Sequence, residues 1–237
     1  MAEDLRNLVR EADRDRYLAV LFAPSEKQRH LFALYAFDAE ITRIPNLVSE
    51  PQVGEIRLQW WLDTLEAIEK GHSVDHPVAQ AFAETIREFA LPTEHIGDLI
   101  EARRDDLYAN QYPSVFALEA YIAETEVAVM QFAAIILDRV EAAKSADLTG
   151  LAGTAFGLAR LLARPNLPSK FVPPGESVES LKALARKRLE EARMVEIPVV
   201  LVPAVLPAVL AETYLAGKTS ALRRQWLMWR AARRKFL

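Results

Sequence analysis

The stretch LFALYAFDAEITRIPN, Leu31–Asn46, decides the fold. From Leu31 to Phe37 it is apolar and rich in aromatic side chains, which suits a helix belonging in a core. Asp38 and Glu40 follow two residues apart, so on a helix they point to roughly opposite sides. A shared metal face needs i,i+3 or i,i+4 spacing, which this pair lacks. Glu40 and Arg43 do have that spacing and are set to pair with each other. Pro45 is expected to stop the helix.

Helical periodicity extends outward in both directions. Asp15–Phe22 reads as a short helix closed by Ala23-Pro24. Ser25 with Gln28 three residues on has the pattern of a capping box for the helix that follows. Gly54–Gly71 is amphipathic, with Ile56, Trp60, Leu65 and Ile68 near one face. HPVAQAFAETIREFA comes next, then a helix from Pro92-Thr93 to about Tyr108 and a long apolar helix capped by Ser114. Further helices are expected near Leu148–Ala163 and Ser177–Val195, and a basic helix, about 219–237, closes the chain. No alternating strand run, fixed repeat or linker interrupts this pattern, so the expectation is one all-α domain, 1–237, of about eight to ten helices.

Composition narrows the function classes. The chain has 237 residues with 29 Lys and Arg against 33 Asp and Glu, a net charge of −4, which does not suit a general polyanion binder. The absence of cysteine removes disulfides, thiolate metal sites and cysteine nucleophiles. MAEDLRNLVREADRDRY has no apolar core and resembles neither a signal nor a transit peptide. The apolar run Ile197–Ala211 is shorter than the roughly 20 residues of a membrane-spanning helix and is broken by Pro198, Pro203 and Pro207. A cytoplasmic protein, at most peripheral to the inner membrane, is expected.

Few residue patterns carry chemistry. In DLIEARRDDLY, Asp98, Glu101 and Asp105 fall at i, i+3 and i+7, one helix face that could hold Mg²⁺ through oxygen ligands. Arg103, Arg104 and Asp106 lie beside it, and salt bridges would neutralise the same face. His30, His72, His76 and His95 are scattered and no phosphate loop or nucleophile motif is present. The closing helix carries Arg223, Arg224, Arg230, Arg233, Arg234 and Lys235 with Leu222, Trp226, Trp229 and Phe236 between them. Two readings stand: a basic helix lying on an anionic membrane surface, or a closing helix that buries Trp226 and Trp229 and solvates its arginines. Basic residues confined to one tail without a reader motif give no nucleic-acid partner.

Several ordered blocks resemble the squalene/phytoene synthase family. DRYLAVLFAPSEKQRHLFALYAFDAEITRI resembles the family's first block, EIRLQWWLDTL the next, and RRDDLYANQYPSVFALEAYIAETEVAVM the central one. GTAFGLARLLARPNLPSKFVPPGE resembles the block that ends in a Pro-rich turn. The resemblance implies an isoprenoid-synthase-like helical bundle around a central cavity. In active members, two aspartate-rich motifs on facing helices hold Mg²⁺ for the diphosphates of isoprenoid substrates, where leaving-group charge needs concentrated positive charge.

In this chain the positions of the first motif fall on Thr42, Arg43 and Asn46, and those of the second on Arg160 and Arg164. The small-residue segment that makes room for a prenyl chain reads TEVAV, with Glu126 and Val129 at its glycine positions, while Tyr121 before it matches. Within the family, LVSEP, AETE and LPSKFVPP are similar to the phytoene-synthase-like assembly factors of respiratory complex I. The resemblance thus implies a non-catalytic scaffold or assembly factor with no cofactor and with complex I subunits as partners, while the anionic membrane surface is a partner that the closing helix alone suggests. One alternative is an active head-to-head prenyltransferase using Mg²⁺, with Glu101, Asp105 and Asp106 as the candidate substitute acids. Another is a binder in which Arg43, Arg160, Arg164 and Lys170, with Tyr35 and Tyr121, hold a prenyl or lipid phosphate. A last alternative has the arginines pairing with Glu126, Asp105 or Asp106 and closing the cavity.

Overall fold

The structure, a computed structural model, describes residues 2–217 and 220–234. Among them are fifteen α-helical segments, several of a single turn, and no strand. The charged N-terminus forms a helix that periodicity missed, α1 (Ala2–Ala12), followed by α2 (Arg14–Val20). Next comes α3 (Ser25–Thr42), buried without a break from His30 to Asp38, so it is the helix around which the others pack. The Ser25 capping box does not form: Pro24 is the N-cap, and the Gln28 amide donates to the Ala23 carbonyl (3.0 Å). α3 ends at Thr42, short of Pro45 as expected, and Pro45 itself sits in the first turn of a separate helix, α4 (Ile44–Leu47), where its missing N–H costs nothing.

The Gly54–Gly71 expectation becomes α5 (Pro51–Glu69), which turns Leu58, Trp61, Leu65 and Ile68 inward. Ile56 and Trp60, expected on the core face, are exposed instead. Capped by His76, α6 (Pro77–Phe89) ends at Ala90 in the left-handed region, and α7 (Thr93–Ala102) follows. Beyond Ala102 the backbone tightens into a 3₁₀ turn, Arg103–Leu107, so the expected helix to Tyr108 is cut short.

Ser114 caps α8 (Val115–Ile122), its hydroxyl accepting from the Ala117 N–H (3.2 Å). A π-helical segment, Ala123–Val127, joins α8 to α9 (Ala128–Leu137) in one continuous course. That course, Val115–Leu137, is the one stretch of the described residues long and apolar enough to cross a membrane. Yet 56% of its most apolar window is buried inside the bundle. Then come α10 (Arg139–Lys144), α11 (Ala146–Leu162) and α12 (Val178–Arg193), the last opened by a reciprocal Ser177–Ser180 capping box. The Pro-rich run folds into 3₁₀ turns, α13 (Val202–Val205) and α14 (Ala211–Leu215), largely buried, before α15 (Ala221–Arg234).

The apolar interior forms two main clusters. One gathers α3, α5, α6 and α7 around Phe37, which stacks on Phe82 at 4.3 Å and meets the Trp61 ring edge-on. The other gathers α8, α11, α12 and α14 around Phe156 and Leu158. Residues of α9 belong to both. At Gly153 and Gly157, α11 meets the π-helical segment: a Cβ at 153 would lie 2.9 Å from Val127 Cα, and one at 157 would lie 3.0 Å from Glu126 Cβ. These two glycines, one turn apart, let two backbones approach more closely than side chains would permit.

Candidate functional site

Charged side chains from five elements meet in the interior. Arg16 of α2, 4% exposed, donates to Asp38 of α3 and to Glu126 of the π-helical segment (2.9 Å), and lies 3.8 Å from Asp13. Arg160 of α11 donates to Asp13 (2.8 Å) and stands 3.7 Å from Glu126. Arg103, at the start of the 3₁₀ turn, donates to the second Asp38 oxygen (3.2 Å) and to the Tyr121 hydroxyl (3.3 Å), and lies 3.5 Å from Asp106. Tyr121 in turn donates to Asp106 (2.9 Å). The Tyr35 ring packs beneath the Arg16 guanidinium at 5.2 Å, so both tyrosine candidates serve this network.

Local structure explains how these groups arrive. Asp13 is the N-cap of α2, accepting from the Arg16 N–H (3.0 Å), and this fixes its carboxylate beside two guanidiniums. Glu126 is carried inward by the π-helical segment, whose approach depends on Gly153 and Gly157. Such one-turn widenings of a helix recur where a side chain must be re-aimed. Burial alone would raise the Glu126 carboxyl, but Arg16, then Arg160, Arg103 and Arg164 overcome it and hold it down at about 2. For Arg16 burial opposes the charge, and Glu126, Asp38 and Asp13 more than restore it. Glu126 and Arg16 are therefore charged at neutral pH and held by partners of opposite sign. Buried Arg103 Nε is left without an acceptor.

Beside the network opens a pocket of about 400 Å³, lined by Thr42, Asn46, Asp106, Arg164, Lys170 and Phe171 among others. It brings together Thr42 and Asn46 of the first aligned motif with Arg164 of the second. Other candidates are placed elsewhere. Arg43 is exposed and pairs with Glu40 (2.6 Å), as their spacing implied. Lys170 is buried, with its ammonium donating to the carbonyls of Asp105 (2.5 Å) and Tyr108 (2.7 Å), and burial lowers its pKa. Arg164 lies over the Phe171 ring (5.6 Å) and has no carboxylate at ion-pair distance among the described residues. The roomy central cavity implied by the resemblance is thus largely filled by ion pairs, with this pocket left at its side.

The acidic face of Asp98, Glu101 and Asp105 is not assembled, because the 3₁₀ turn breaks the helical register after Ala102. Asp98 pairs with His95 (3.2 Å), Glu101 with Arg104 (2.5 Å), and Asp105 accepts from Tyr112 (3.2 Å). Asp106, beside that face, turns inward to Arg103 and Tyr121. Sequence reasoning gave no role to Asp13 and Arg16, and placed Arg103 only beside the acidic face of Asp98, Glu101 and Asp105. A signal existed in the sequence for Asp38, which closes the apolar run Leu31–Phe37, where an unpaired charge is too costly to keep; Arg16, at the end of the charged run Asp13–Arg16, gave none.

A family model described as squalene/phytoene synthase matches residues 9–164. Bovine (Bos taurus) NADH dehydrogenase (ubiquinone) complex I, assembly factor 6, is 30% identical over 130 residues, 55% of this chain and 39% of that protein. The match therefore spans only about two fifths of that curated relative. Among solved structures, a ligand-bound dehydrosqualene synthase superimposes with a TM-score of 0.77 at 16% identity, covering 99% of this chain and 96% of that one. The squalene synthase of Alicyclobacillus acidocaldarius gives 0.74 at 22% identity, covering 94% and 93%. At such identities these two structures speak for the fold alone. With the family model matching well over half of its 237 residues, in a fold shared from end to end, the chain belongs to the squalene/phytoene synthase family.

Proposed function

We propose that this protein is a non-catalytic member of its family that acts in the assembly of respiratory complex I. One observation carries the reading: every carboxylate in the interior is already held by a guanidinium. Asp13, Asp38, Glu126 and Asp106 each lie against Arg16, Arg103 or Arg160. Mg²⁺ needs carboxylate oxygens free to complete an octahedron with its waters, and it would have to break buried ion pairs to obtain them. With Thr42, Arg43 and Asn46 at the first aligned motif and Arg160 and Arg164 at the second, no aligned position offers a replacement acid. The kinship with complex I assembly factor 6 supports the cellular role.

Two experiments test the two halves of the proposal. Purified protein incubated with farnesyl or geranylgeranyl diphosphate, with Mg²⁺ and with EDTA, is expected to release no diphosphate in either arm; metal-dependent release overturns the non-catalytic reading. Deletion of the gene is expected to leave NADH:quinone oxidoreductase under-assembled, and full assembly and activity in the deletion strain would overturn the assembly role.

A second reading has one supporting observation, the side pocket with Arg164 at its wall and no carboxylate at ion-pair distance from it among the described residues. A guanidinium so placed suits a phosphate head group. If the pocket holds a prenyl phosphate, Arg164→Ala weakens its binding at least tenfold; unchanged binding rejects this reading.

A further inference from the structure

The closing helix is apolar on two opposite faces. Inward, Met228, Ala231 and partly buried Leu227 pack on Leu18, Leu206 and Leu210, and Arg224 is tied to Asp15 (3.3 Å). Outward, Leu222, Trp226 and Trp229, at i, i+4 and i+7, share the other face and are 77%, 52% and 47% exposed. This corrects the expectation that the helix buries its tryptophans: the core takes the methionine between them. Across an apolar groove of about 390 Å³, Leu21 and Phe22 from the turn after α2 add two more exposed apolar side chains. The patch is gathered from two distant segments tied together by the Asp15–Arg224 pair, unlike apolar side chains exposed singly.

Charge identifies what it meets. None of the chain's 33 carboxylates lies beyond Glu212, whereas α15 carries Arg223, Arg224, Arg230, Arg233 and Arg234. Arg230 and Arg233 stack on the Trp226 and Trp229 rings at 4.7 and 4.5 Å, so cationic groups stand beside the two largest apolar groups of the patch. We propose that this face seats the protein on an anionic lipid bilayer, with Leu222, Trp226, Trp229, Leu21 and Phe22 entering the head-group region and Arg223, Arg230 and Arg233 meeting lipid phosphates. Tryptophan suits that depth because its ring is apolar and its N–H polar. A helix with an apolar face edged by arginines lies in the plane of an anionic interface. A second copy fits worse, since two such faces would bring their arginines against each other. Lys235 and Phe236 lie outside the described residues.

Full-length protein is mixed with vesicles of equal parts phosphatidylcholine and phosphatidylglycerol, and separately with pure phosphatidylcholine, and sedimented. Binding to the anionic vesicles alone is expected, weakening as salt rises. Each basic side chain at an anionic leaflet contributes about fivefold, so Arg223→Gln, Arg230→Gln and Arg233→Gln together lower partitioning on the order of 100-fold. Trp226→Ser with Trp229→Ser abolishes the blue shift of tryptophan fluorescence on vesicle addition while leaving the circular dichroism spectrum unchanged, since both side chains are exposed. Equal binding to both vesicle types, no loss in either variant, or a concentration-dependent dimer with no vesicle binding overturns the proposal. The vesicle test needs no respiratory complex, so its outcome is independent of the assembly role.

Discussion

Arg16→Met tests whether the interior is held by its ion pairs. In the folded protein Arg16 is 4% exposed and is the one guanidinium that reaches Asp38, Glu126 and Asp13 together. Removing it leaves Arg103 and Arg160 to face four carboxylates that are already out of water. Breaking a buried pair by deleting one partner costs about 3–5 kcal/mol, because an uncompensated charge stays behind. In a domain of this size each kcal/mol moves the melting temperature by about 2–4 °C, so a fall of about 6–20 °C is expected by calorimetry. The sharper arm adds Asp38→Asn and Glu126→Gln to the same chain. Arg103 with Asp106 and Arg160 with Asp13 then remain as balanced pairs, and most of the loss should return. An Arg16→Met variant within about 1 kcal/mol of the parent, or a triple variant no more stable than the single, would refute the reasoning.

The other predictions concern packing and pH. Gly153→Ala gains about 1 kcal/mol of helix propensity, but its Cβ would press on Val127 Cα at 2.9 Å. Overpacking against backbone costs about 1–3 kcal/mol, so a lower melting temperature is expected, while Gly150→Ala, with nothing within 4 Å, should raise it. Glu126, held at about 2 against an ordinary 4.5, stabilises the fold above about pH 4.5, and this contribution fades as pH falls toward 2. Acid unfolding of Glu126→Gln should accordingly show a shallower slope in that window; an unchanged slope contradicts the assignment. Burial lowers the His30 pKa below 6.5, with Glu88 opposing it and Arg29 assisting. The neutral ring, which accepts from Arg29 (2.8 Å) and pairs with Thr85 (3.0 Å), stabilises the protein above pH 6.5, and the benefit is lost as pH falls. His30→Gln should flatten the melting-temperature profile between pH 7 and 5.

The fold was legible in the sequence because its signals are local. The cap at Ser114, the apolar course from Leu31 and the helix expected near Ser177 all follow from short-range patterns. The interior network was not legible, because its partners lie far apart along the chain: Arg16 meets Glu126 across 110 residues and Arg160 meets Asp13 across 147. Helical spacing can rank carboxylates on one face, but it cannot show that the backbone tightens after Ala102 and brings Asp106 to Arg103 and Tyr121. The same limit hid the outward tryptophans of α15. Both of its faces are apolar, and only the packing of Met228 shows which one is covered.

Arginines at the motif positions had suggested a cationic site for a phosphate, and the geometry gives a different charge balance. Arg16, Arg103 and Arg160 face Asp13, Asp38, Asp106 and Glu126, so the inner site is close to neutral rather than positive. Lys170 spends its donors on two backbone carbonyls, which leaves Arg164 as the cation of the side pocket with no acid partner among the described residues. A neutralised interior offers neither a metal nor a diphosphate a large electrostatic reward, since either would have to displace ion pairs already formed in low dielectric. Buried pairs of this kind contribute little net stability compared with an apolar core, but they penalise any rearrangement that separates them. They therefore hold α2, α3, α11 and the π-helical segment in one register. The exposed tryptophans of α15 and the exposed Ile56 and Trp60 of α5 lie outside this locked interior, so a change there leaves the ion pairs intact.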